Sequence, residues 1–134
     1  MCGIVGCIGL PDPRKYIIEG LKTLDYRGYD SAGAAFLNSN IEIFKEVGTI
    51  DKLNAIIPLK QNGRVAIGHT RWATHGKPSV INSHPHLSFK GQFAIVHNGF
   101  VGVRVHIPEI PEYRVCPDTH LPQSVQCFAP PGRV

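Results

Sequence analysis

Hydrophobic positions along the chain switch repeatedly between strand-like runs and helical spacing, as far as Gly99. Ile4-Val5-Gly6-Cys7-Ile8 is a continuous apolar run and predicts a short buried strand. Asp12-Pro13 then offers an N-cap and a first-turn proline, and Ile17, Ile18, Leu21 and Leu24 recur on one helical face, with Gly28 placed to close the helix. Small residues around Ala32 to Ala35 lead into a strand ending near Leu37. The turn Asn38-Ser39-Asn40 returns the chain as a second strand from Ile41 to Val47. A short helix is predicted from Thr49 to Ile57, with Leu53, Ile56 and Ile57 inward and Pro58 ending it. After the turn Gln61-Asn62-Gly63, a strand Val65-Ala66-Ile67-Gly68-His69 delivers Thr70-Arg71-Trp72-Ala73-Thr74-His75-Gly76. Past Pro78 and Pro85, a strand from Gln92 to Val96 delivers His97-Asn98-Gly99. Two strands thus end in polar loops, a common way of presenting active-site groups from a rigid scaffold.

The pattern changes at Phe100. Residues 100–134 hold six of the eleven prolines and no lysine, and they show no period beyond Val101-Gly102-Val103-Arg104-Val105. Proline at that density interrupts helices and sheets alike, so this tail is expected to be irregular or disordered, separate from a domain over 1–99. With 134 residues, 43% hydrophobic and 18% charged, the chain suits one small globular core. No stretch approaches the roughly 18 apolar residues of a membrane span. No basic segment precedes an apolar one at the N-terminus, where Gly9, Pro11 and Pro13 intervene, so a cytoplasmic location is expected and Cys2, Cys7, Cys116 and Cys127 are expected to be reduced. The formal charge of +4 is spread without basic runs or interleaved aromatics, which argues against a nucleic-acid partner.

Candidate chemistry concentrates in three places. Removal of Met1 would leave Cys2 with a thiol and a free α-amine on one Cα. The amine, with an ordinary pKa of about 7.7 to 8.0, can take the proton of a thiol near about 8.5 at neutral pH, an established activation of an N-terminal nucleophile. A cysteine leading into a strand is otherwise a small apolar packing residue. Arg71 offers paired donors that match the carboxylate of an amino acid, although a lone loop arginine is more often simply solvated. Asn98 and Gly99 could aim a side-chain amide and a backbone N–H at one oxygen, as a tetrahedral acyl-transfer intermediate requires, while Asn-Gly is also a common tight turn. His84 and His86 raise a metal question, but no ligand set with zinc-like spacing accompanies them, and no phosphate loop or dinucleotide fingerprint is present.

Taken in order, Cys2-Gly3-Ile4-Val5-Gly6, Arg27-Gly28-Tyr29-Asp30-Ser31-Ala32-Gly33, His69-Thr70-Arg71-Trp72-Ala73-Thr74-His75-Gly76 and His97-Asn98-Gly99 resemble the glutaminase (class II glutamine amidotransferase) domain of the glutamine–fructose-6-phosphate aminotransferases. Tyr29 and the Trp72 loop favour this family over the related amidophosphoribosyltransferases. The resemblance implies an α+β fold of the N-terminal-nucleophile hydrolase type, with antiparallel sheets sandwiched between helices, incomplete here. It implies that Cys2 attacks the side-chain amide of glutamine, with its α-amine as base and with Asn98 and Gly99 as oxyanion hole. Arg71 would clamp the substrate α-carboxylate, and Thr74 and His75 would supply further substrate contacts. No cofactor is implied. The γ-glutamyl thioester would be hydrolysed to glutamate, and the ammonia would serve glucosamine 6-phosphate synthesis in a sugar-phosphate isomerase domain.

Beyond Gly99 the sequence no longer resembles that family. An aspartate for the substrate ammonium and the sugar-binding half have no counterpart, and Asp118 stands in an unrelated context. The sequence therefore leaves two expectations: the N-terminal part of a glutamine-dependent aminotransferase, impaired by truncation, or an inactive fragment that only binds. Neither fixes an oligomeric state.

Overall fold

The computed structural model describes residues 2–74 and 76–98, together with the backbone of 126–128. Strands β1 (Gly3–Ile8), β2 (Ser31–Leu37), β3 (Ile41–Val47) and β4 (Val65–Arg71) form an antiparallel sheet in the order β1-β4-β2-β3. Helix α1 (Pro13–Thr23) lies between β1 and β2, and α2 (Ile50–Ile56) follows β3. Both begin as the sequence requires: the Lys15 N–H donates to Asp12 Oδ1 at 2.9 Å, and the Lys52 N–H donates to the Thr49 hydroxyl at 3.4 Å.

Strand alternation gives the sheet two different faces. Cys7, Ala32, Ala34, Phe36 and Ala66 share one core with Ile17, Ile18 and Leu21 of α1 and Ile50 and Leu53 of α2. Gly68 allows α1 to approach closely, because a Cβ there would lie 2.6 Å from Ile17 Cγ2. Ala35 and Ile67, on the other face, pack against Ala94 and Val96. Those two residues belong to β6 (Ala94–Val96), the centre of a second antiparallel sheet with β5 (His86–Leu87) and β7 (Gln126–Phe128). The layers are therefore helices, first sheet, second sheet. Among the described residues, helices cover only the outer face of the first sheet.

Several boundaries differ from the sequence expectation for physical reasons. Helix α1 stops at Thr23, and Gly28 instead closes the single 3-10 turn Asp25–Arg27. Ile56 is 44% exposed, because the buried stripe of α2 runs through Ile50, Leu53 and Ile57, one helical step away. Strand β4 continues through Thr70 and Arg71, where Gly3 and Ser31 extend the ladder. Strand β6 begins only at Ala94, because the Ser88 hydroxyl accepts from the Gln92 and Phe93 N–H groups. Within the stretch expected to be irregular, Gln126–Phe128 forms a strand on β6.

Candidate active site

Three strand ends meet at one end of the two packed sheets. Strand β1 starts with Gly3 opposite Thr70, and the Gly3 N–H also donates to the Thr70 hydroxyl at 3.1 Å. This places half-buried Cys2 directly before an anchored residue, at the level of Arg71 on β4. Cys2 and Cys7 are free thiols. Cys7 faces the helical core, where burial pushes its thiol up and so keeps it protonated.

Arg71 is the last residue of β4, opposite Ser31. Its Nη1 lies 3.9 Å from Asp30 Oδ1. Asp30 is held by its backbone, donating its N–H to the Arg71 carbonyl at 2.8 Å and accepting at its own carbonyl from the Gly48 N–H at 2.8 Å. Its carboxylate accepts from the Ser31 hydroxyl at 3.0 Å and from the Ala73 N–H. The chain then continues through half-exposed Trp72 to exposed Thr74.

His69, two residues before Arg71, is fully buried on the face that meets the second sheet. Its Nε2 lies 3.1 Å from the His97 carbonyl, so neutral His69 is the donor and that nitrogen carries the proton. The His69 ring packs 4.3 Å from the ring of His84, which lies 4.5 Å from that of His86. Burial pushes His69 down to about 4 and His84 down to about 3, and burial also lowers His86. All three imidazoles are therefore neutral near pH 7. The half-buried Lys45 ammonium, itself lowered by burial, donates to the Ser83 carbonyl at 3.0 Å. The neighbouring His84 carbonyl rests on Gly33, where a Cβ would come within 2.0 Å of it. This clamped segment leads into β5, which pairs with β6, and β6 runs out through buried His97 to exposed Asn98.

The structure thus brings Cys2, Arg71 and Asn98 to the same end of the sheets, each one step beyond an anchored residue: Gly3, Thr70 or His97. Thr74 lies on the loop leaving that end, whereas His75 and Gly99 fall outside the described residues. Sequence reasoning placed Asp30 and His69 within its motifs but assigned no role to them or to Lys45. An acid in a turn directly before a strand was the available sign for Asp30. Among the described residues, no group of three or more His, Cys, Asp or Glu is arranged to hold a metal, and no helix is long and apolar enough to cross a membrane.

Among solved structures, the fold is similar to the glutamine phosphoribosylpyrophosphate (PRPP) amidotransferase from B. subtilis complexed with ADP and GMP. The TM-score is 0.60 and the identity 26%, over 73% of this chain and 22% of that one. A structure of the allosteric regulatory enzyme of purine biosynthesis matches with the same TM-score at 27% identity. The fold is that of the N-terminal-nucleophile-type glutamine amidotransferases. No family model matches the chain. Over 102 residues, 75% of its length, the chain is 55% identical to the glutamine–fructose-6-phosphate aminotransferase (isomerizing) of Geobacillus kaustophilus and 51% identical to that of Bacillus subtilis. Its N-terminal 75% is homologous to the glutaminase domain of the glutamine–fructose-6-phosphate aminotransferases. The chain spans 17% of the length of those relatives.

Proposed function

We propose that this chain carries out the glutamine-cleaving half of a glutamine-dependent aminotransfer reaction, with Cys2 as nucleophile once Met1 is removed. Arg71 receives the substrate α-carboxylate, and Thr74 and His75 add contacts from the same loop. The Cys2 thiol passes its proton to the α-amine and its sulfur attacks the side-chain carbonyl carbon of glutamine. The Asn98 amide and the Gly99 N–H stabilise the resulting oxyanion. On collapse the amide nitrogen takes the proton from the α-amine and departs as ammonia, leaving a γ-glutamyl thioester. Water then releases glutamate and restores the thiol, so glutamine and water become glutamate and ammonia.

The observation that supports this reading is the meeting of β1, β4 and β6 through the Gly3–Thr70 and His69–His97 hydrogen bonds. Identities of 51% and 55% to the hexosamine-forming enzymes, against 26% and 27% to the purine enzymes, favour glucosamine 6-phosphate synthesis as the destination of the ammonia. The sugar-phosphate step belongs to a separate domain, and the reaction is a cytoplasmic one. A chloromethyl ketone analogue of glutamine is the direct test. It should alkylate Cys2, glutamine should protect the thiol, and Cys2→Ala should abolish labelling. Labelling that persists in Cys2→Ala would defeat the assignment.

A further inference from the structure

Asp30 has more ties to the candidate site than any role assigned above uses. Its backbone joins the ends of β4 and β3, through the Arg71 carbonyl and the Gly48 N–H at 2.8 Å each, so its carboxylate projects from a fixed point. One carboxylate oxygen accepts from the Ala73 N–H, two residues past Arg71, and thereby fixes where the Thr74 loop leaves the sheet. The other accepts from the Ser31 hydroxyl at 3.0 Å and faces the Arg71 guanidinium at 3.9 Å. With side chains only 12% and 24% exposed, Arg71 and Asp30 interact through a partly desolvated medium, where charge attraction is stronger than at a wet surface. The separation exceeds that of a bidentate hydrogen-bonded pair, so Asp30 acts on Arg71 through charge rather than through a paired hydrogen bond.

Building on the glutamine-cleavage reading, we propose that Asp30 is the positioning residue of the substrate clamp. It aims the Arg71 guanidinium at the α-carboxylate and sets the starting point of the loop that carries Thr74. It touches neither the scissile amide nor the thiol. Its removal should therefore weaken capture of substrates bearing an α-carboxylate, leaving the reactivity of the bound amide carbon and of Cys2 unchanged.

The test uses the full chain and the Asp30→Asn variant, which keeps an acceptor for the Ala73 N–H but loses the charge. Cys2 alkylation is followed against concentration with two chloromethyl ketones, the glutamine analogue and its counterpart lacking the α-carboxylate. Iodoacetamide reports intrinsic thiol reactivity. Asp30→Asn should raise the half-saturating concentration of the glutamine analogue about tenfold, the scale of a contact to a charged group. The maximal rate, the iodoacetamide rate and the behaviour of the truncated analogue should stay within about twofold of the unmodified chain. Asp30→Glu, which retains the charge, should recover most of the loss. Two results would overturn the proposal: equal penalties for both analogues, or an unchanged half-saturating concentration in Asp30→Asn while Arg71→Ala raises it. If Arg71→Ala also leaves that concentration unchanged, the clamp itself is wrong, which separates failure of the underlying reading from failure of this one.

Discussion

The tightest backbone contact near the site makes Gly33→Ala the most informative single substitution. Gly33 stands on β2 between His69 and Lys45, on the face turned to the second sheet. An added Cβ would lie 2.0 Å from the His84 carbonyl oxygen and 3.0 Å from the Phe44 carbonyl oxygen. Both neighbours are backbone, so no rotamer change relieves the clash. Ordinary contact begins at 3.4 Å, and reaching it requires the 83–86 segment to retreat by about 1.4 Å, the difference from 2.0 Å. Such a retreat stretches the 3.0 Å bond from Lys45 to the Ser83 carbonyl past hydrogen-bonding range and opens the 4.3 Å contact between the His69 and His84 rings. Overpacking costs about 1–3 kcal/mol and a lost bond to a charged group roughly another 1–2 kcal/mol, so on the order of 3 kcal/mol is expected. For a domain of this size that corresponds to a fall in melting temperature of about 10–20 °C, readable by circular dichroism. Because the segment feeds β5 and hence β6, alkylation of Cys2 by the glutamine analogue should slow as well. A variant melting within about 3 °C of the parent, with unchanged labelling, would refute this account of how the sheets are joined.

Two further outcomes follow from the same contacts. His69 and His84 titrate at about 4 and about 3 when folded, below the roughly 6.5 of an unfolded histidine, so the unfolded chain binds more protons below that pH. Their contribution to stability is complete above pH 6.5 and is lost as the pH falls toward 4 and then 3, by roughly 3 kcal/mol for His69 alone. A urea midpoint that holds constant from about pH 7 to pH 4.5 would contradict this. Thr70→Val keeps the side-chain shape but strips the acceptor from the buried Gly3 N–H, which should cost about 1–2 kcal/mol and reduce Cys2 labelling by the glutamine analogue. Unchanged melting and labelling would show that β1 needs no such anchor.

What the sequence made legible was the part of the fold written in local signals. The caps at Asp12 and Thr49, the hairpin turn at Asn38-Ser39-Asn40 and the apolar spacing of α1 each act over a few residues, and each forms where expected. Cys2, Arg71 and Asn98 stood out in the sequence as candidates, and the structure places them at one end of the sheets. Strand β5 was not legible, since two residues carry no period. Nor was the network behind the site, because its bonds are long-range: His69 to His97 spans 28 positions, Ala73 to Asp30 43, and Gly3 to Thr70 67. Such pairs depend on the register between strands, which hydrophobic alternation fixes only by face.

The histidines also decide which group can serve as base. An imidazole near a cysteine invites a thiolate–imidazolium pair, and four of the seven histidines, at 69, 84, 86 and 97, form one contiguous group with the end of β4 that carries Arg71. His69 titrates near 4, so it is too weak a base for an ordinary thiol at about 8.5. His84 is weaker still, and its ring is packed between those of His69 and His86. Protonating His69 would place a second positive charge near Arg71 within a buried layer, where Asp30 already balances the first. These imidazoles therefore hold β4 against the 83–86 segment and, through His97, against the end of β6. Within the proposed mechanism, the nitrogen best matched to the thiol proton is the one on the same Cα as the sulfur, with an ordinary pKa of about 7.7 to 8.0 once Met1 has been removed.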